Sequence, residues 1–162
     1  MGYFVHLLKN WEKHSPLKMV KDIAEASFNI DALYHYRNDK KFFSDGSIRH
    51  FTTYIGNSIQ NIDEDNGFTF EIEGLDPTFF ALDFDKDFDY LVPGEKLCSL
   101  AYIDKLDKDA FELFYHFCYE YLKINTDEYI YLDSSTRPFS WEEMKKLSMY
   151  PYDKDWLLKD VI

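Results

Sequence analysis

The chain has 162 residues, 46% hydrophobic and 19% aromatic, which is enough to bury the core of one ordinary domain. Thirty Asp and Glu against eighteen Lys and Arg leave a net charge of −12, a field that repels nucleic acid and anionic membrane and attracts cations or basic proteins. No apolar run reaches the length of a membrane span, and the opening MGYFVHLLKNWEKH has no basic segment leading a long apolar one, so a cytoplasmic location is expected. Two cysteines, Cys98 and Cys118, are too few for a disulfide framework and sit among apolar neighbours, where buried reduced thiols are expected, with a single bridge as the alternative.

In chain order, YFVHLL at the N-terminus reads as a short strand or the lead into a helix. SPLKMVKDIAEASF follows, with Ser15 as N-cap and Pro16 at the first helical position, and Leu17, Val20 and Ile23/Ala24 on one face. The end of that helix falls somewhere between Phe28 and Arg37, and SDG at 44–46 marks a turn. IRHFTTYIGNSIQNI alternates around Phe51, Thr53 and Ile55, and DNG at 65–67 is a hairpin signal. FTFEIEGL alternates cleanly, with Phe68, Phe70 and Ile72 on one face and Thr69, Glu71 and Glu73 on the other. FFALDFD and, after a Pro93-Gly94 turn, KLCSLAYI complete a strand-rich middle.

The last third turns helical. In DKDAFELFYHFCYEYLKIN, Phe111, Phe114, Tyr115, Cys118 and Leu122 follow the helix period, with Asp107 or Asp109 near the positive end of the dipole. EYIYLD reads as a strand, and SWEEMKKL opens with Ser140 and Glu143 in capping-box spacing. Trp156, Leu157 and Leu158 should dock the tail on the body. The expected class is α+β, an antiparallel sheet of about five strands with helices packed on one side, in a single domain over 1–162.

The acidic residues are not spread evenly. Residues 61–95 hold eleven Asp and Glu against Lys86 alone, and within them LDPTFFALDFDKDFDYL sets Asp83, Asp85, Asp87 and Asp89 at every second position. FFALDFD resembles the nucleophile motif of haloacid-dehalogenase-like phosphatases, which end an apolar strand in Asp-x-Asp. Here Lys86 and Asp87 follow, where that family places a small residue and Thr or Val, and its later motifs have no counterpart. Read as a calcium loop, the run puts Phe88 where the sixth position requires Gly and Gly94 where the twelfth requires a bidentate Glu. Glu112, His116 and Glu120 share one helix face, which lies opposite the apolar side and suits solvated residues. There is no G-x-S-x-G and no phosphate-binding Gly-rich loop. His6, His14, His35 and His50 are scattered, and Asp133, Ser134, Ser135 and Arg137 make a candidate site loop. No cofactor or metal is assigned.

The acidic surface therefore leads. If 82–90 is extended, Leu82, Phe84, Phe88 and Tyr90 face the core while the four aspartates point out, about 7 Å apart on one side. Each neighbouring pair repels by about 0.6 kcal/mol in a water-like medium, a cost that a cationic partner would relieve on binding. The profile, a small, acidic, aromatic-rich α+β chain without a catalytic motif, is similar to that of immunity proteins of bacterial toxin systems. That similarity implies a cognate toxin, often a nuclease with a basic cleft, and transfers no residue roles. The candidate partner-binding residues are Glu71, Glu73, Asp83, Asp85, Asp87 and Asp89, with Tyr90 as an aromatic anchor at the rim. The competing expectation is a small enzyme or ligand-binding domain with its pocket between sheet and helices and the Asp133–Arg137 loop at its mouth.

Overall fold

A computed structural model describes residues 2–37, 42–57, 66–74, 88, 91–133, 135 and 137–159. Strand β1 (Tyr3–Asn10) sends Val5 and Leu7 to one side of the sheet and His6 and Leu8 to the other. Asn10 then accepts from the Glu12 amide at 3.0 Å and starts a 3₁₀ turn, Trp11–Lys13. Helix α1 (Pro16–Asn29) begins as its sequence dictates, with the Ser15 hydroxyl accepting from the Lys18 amide at 3.3 Å and Pro16 in the first turn. It buries Met19, Ile23 and Ala26, and it ends where Asp31 takes φ 55 and the Ala32 amide returns to the Ser27 carbonyl at 2.9 Å.

Strands β2 (Leu33–Arg37), β3 (His50–Gly56), β4 (Phe68–Glu73), β5 (Leu97–Leu106) and β6 (Tyr129–Leu132) join β1 in one antiparallel sheet of order β2-β3-β4-β5-β1-β6. The class and the one-sided helices are as expected, but the sheet has six strands. β2, which has no clean alternation of its own, is created by pairing with β3, and β1 is a full strand in the interior of the sheet. The expected strand at FFALDFD lies outside the described residues. β3 stops at Gly56 and pairs directly from Ile55 opposite Phe68, so DNG is not the two-residue turn of a tight hairpin. The Pro93-Gly94 turn is present, with Gly94 at φ 86 and the Glu95 amide bonded to the Val92 carbonyl at 3.1 Å.

The two sides of the sheet are filled differently. On one, α1, α2 (Phe111–Ile124) and α3 (Trp141–Ser148) cover an aromatic core. Phe68 stands edge-on to Phe114 and Phe117 at 5.2 and 5.5 Å, and the Trp156 indole N–H, buried by the tail, donates to the Phe111 carbonyl at 3.0 Å. On the other, Leu8, Leu97 and Tyr131 form a smaller cluster closed by Phe88, Leu91 and Val92. Both cysteines are buried thiols, and burial raises the Cys118 pKa well above its ordinary value, so that thiol is unreactive.

Candidate functional site

The side of the sheet turned away from the helices carries the polar chemistry. Alternation along β4 buries Phe68, Phe70 and Ile72 and leaves Thr69, Glu71 and Glu73 on this outer side. Glu71 lies opposite Thr52 of β3 and Tyr102 of β5, and Glu73 lies opposite His50. The Glu71 carboxylate accepts from the Thr52 hydroxyl at 3.0 Å and meets the His50 imidazole at 2.8 Å. The Tyr102 hydroxyl donates to Glu73 at 3.4 Å, and burial together with the charges of Glu73 and Glu71 raises the Tyr102 pKa. Glu71 is 31% exposed, so it is held in place without being withdrawn from a partner.

β4 and β5 pair only at Glu71–Tyr102 and Ile72–Ala101. Beyond that point lies a cleft of about 270 Å³, with Tyr54, Thr69, Glu71, Asp104 and Lys105 among its walls. Gly67 sits at its rim because a Cβ there would fall 2.3 Å from the Tyr54 hydroxyl oxygen and 2.6 Å from the Ile55 carbonyl. The arrangement presents carboxylates, hydroxyls and tyrosine rings on a rigid strand scaffold, a surface suited to cationic groups.

Of the expected partner-binding residues, Glu71 and Glu73 are on this face. Asp83, Asp85, Asp87, Asp89 and Tyr90 lie outside the described residues. Phe88, between them, packs at 4.9 Å from the His6 ring and 6.0 Å from Tyr131, and Leu91 and Val92 join the same cluster. Phe88 therefore does pack inward, but onto the outer face of β1 and β6 and not into the helix-covered core.

The other candidates are dispersed. His116 and Glu112 are exposed and border a separate cleft of about 330 Å³ with Asp109, Asn57 and Asn66. Among the described residues, no three His, Cys, Asp or Glu side chains converge to hold a metal ion. In the 132–139 segment, Arg137 pairs with Glu143, and the Ser140 hydroxyl caps α3 by accepting from the Glu143 amide at 3.3 Å. Asp133 faces His6 at 3.5 Å. His14 donates from Nε2 to the Glu73 carbonyl at 2.9 Å; burial lowers its pKa, opposed by that hydrogen bond and reinforced by Lys9.

One polar group was not legible as a site. Lys9 and Glu128, 7% and 1% exposed at their side chains, pair at 3.3 Å, and the Tyr121 hydroxyl donates to the same carboxylate at 2.8 Å. Burial pushes the Glu128 carboxyl above its ordinary range, with Lys9 and Tyr121 pulling it back. The signal was available: Lys9 occupies the inward phase of β1 set by Val5 and Leu7. These groups are satisfied by one another and tie β1 to α2 and the approach to β6.

No family model matches the chain, and no curated protein or solved structure matches it significantly. No helix among the described residues is long and apolar enough to cross a membrane.

Proposed function

We propose that this chain is a protein-binding module whose outer sheet face takes a basic protein, and in its sharpest form an immunity protein that neutralises a basic toxin domain. The observation that carries the reading is the placement of Glu71 and Glu73 on the side of the central strand β4 turned away from α1, α2 and α3, beside Tyr102 and Asp104. The concentration of eleven acidic residues in 61–95 supports it, since a cationic partner steered to such a field relieves its self-repulsion on docking.

The test is binding of a panel of purified basic toxin domains, nucleases among them, followed by calorimetry at two salt concentrations. The cognate domain should bind more weakly as salt rises. Glu71→Lys with Glu73→Lys should weaken it by about ten-fold or more, as should reversal of Asp83, Asp85 and Asp87. Binding that ignores both salt and these reversals would sink the reading.

A further inference from the structure

We infer that Ser99 is a nucleophile, activated by His6 and oriented through Asp133, able to accept the acyl group of a small ester. The three residues come from different strands or strand ends and meet on the outer face. His6 on β1 holds the centre, Ser99 lies on the neighbouring β5, and Asp133 follows β6 on the other flank. The Ser99 hydroxyl is 2.5 Å from His6 Nδ1, and Asp133 Oδ1 is 3.5 Å from His6 Nε2. With the carboxylate beside Nε2, the tautomer that carries hydrogen there leaves Nδ1 as the acceptor of the Ser99 proton. Nucleophile, base and orienting carboxylate within reach of one another are the recurring arrangement of acyl transfer on unrelated folds.

Two further features fit. A register shift between Leu7 and Leu8 places Ala101 and Ser99 opposite them and leaves Leu100 without an opposite number on β1, and the β4 pairing also omits it. Such bulges re-aim side chains, here that of Ser99 beside the irregular position. The imidazole is 10% exposed and is flanked by the rings of Phe4, Phe88 and Tyr131 at 4.7, 4.9 and 6.0 Å, which keeps bulk water from competing at the base.

In the step itself, Ser99 Oγ bonds to the ester carbonyl carbon while its proton passes to His6 Nδ1. The carbon–alkoxide bond then breaks, and the leaving alcohol takes that proton. Water, deprotonated by the same nitrogen, hydrolyses the acyl-serine and restores the free hydroxyl. Asp133 is a positioning residue. The proposal does not depend on whether Glu71 and Glu73 dock a partner.

The experiment is labelling of the full chain with a fluorophosphonate probe, in which the Ser99 Oγ–P bond forms as fluoride leaves. Intact mass and peptide mapping follow, with the heat-unfolded chain as baseline. The native protein should gain one adduct, on Ser99, and Ser99→Ala none. Asp133→Asn should slow labelling by about ten-fold or more at unchanged melting temperature, and Asp133→Glu should restore most of the rate. The same order should hold for turnover of p-nitrophenyl acetate. If native Ser99 labels no faster than in the unfolded chain, or Asp133→Asn labels at the wild-type rate, the inference is overturned.

Discussion

Thr53 places a hydroxyl in the helix-covered core, fully buried between Tyr36 and Phe70 on the flanking strands, and its Oγ1 has no hydrogen-bond partner among the described residues. A buried hydroxyl left unsatisfied forfeits the hydration it had in the unfolded chain. Thr53→Val keeps the shape and the strand preference, so it should raise the unfolding free energy by about 1 kcal/mol and the melting temperature by about 2–4 °C, read by calorimetry. His14 acts in the opposite sense at low pH. Its lowered folded-state pKa means that, as pH falls through 6.5, the unfolded chain takes up a proton that the folded chain still refuses. That contribution is fully present above 6.5 and is lost as pH falls toward the folded value, so His14→Gln should lose less stability than the wild type between neutral pH and pH 5. Denaturant titrations at a series of pH values would show this. At this scale the alternation of Phe51, Thr53 and Ile55 already put Thr53 in the apolar phase of its strand, but no local pattern could tell that its hydroxyl would find no acceptor there.

Between elements, the Lys9–Glu128 pair is the clearest case of a contact that holds the fold at a cost. Each charge is compensated by the other, so removal of one leaves the other stranded in the interior. Lys9→Met should lower the unfolding free energy by about 3 kcal/mol. Adding Glu128→Gln, which keeps an acceptor for the Tyr121 hydroxyl, should recover about half of that, and chemical denaturation of the two variants measures the coupling. The elements themselves were legible where local chemistry is unambiguous. Ser15-Pro16 starts α1, the 3.6-residue period of Phe111, Phe114, Tyr115, Cys118 and Leu122 makes the buried face of α2, and strict alternation makes β4. β2 was not legible, because Leu33–Arg37 is a strand through its pairing with β3 some twenty residues on. The Arg137–Glu143 pair at the start of α3 has the same origin, a contact no local pattern encodes.

Across the whole molecule, the sheet divides two environments. Among the described residues, the aromatic side chains go mostly to the helix side, where rings at 5–6 Å fill the space between layers. The acidic residues that survive on β4 go to the other side, and the salt sensitivity expected of partner binding is a property of that entire face, not of one ion pair. One sheet edge is closed, because Ile130 of β6 exchanges two backbone hydrogen bonds with Phe139 at 2.9 and 2.7 Å. Composition, charge placement and hydrophobic period were sufficient for the α+β class, the helix starts and the side of β4 on which Glu71 and Glu73 stand, because each depends on neighbours within a few residues. The meeting of His6, Ser99 and Asp133, the burial of Lys9 against Glu128 and the order of the six strands required the chain to close on itself. Such contacts span about a hundred residues of sequence, and their energies belong to pairs that no local pattern brings together.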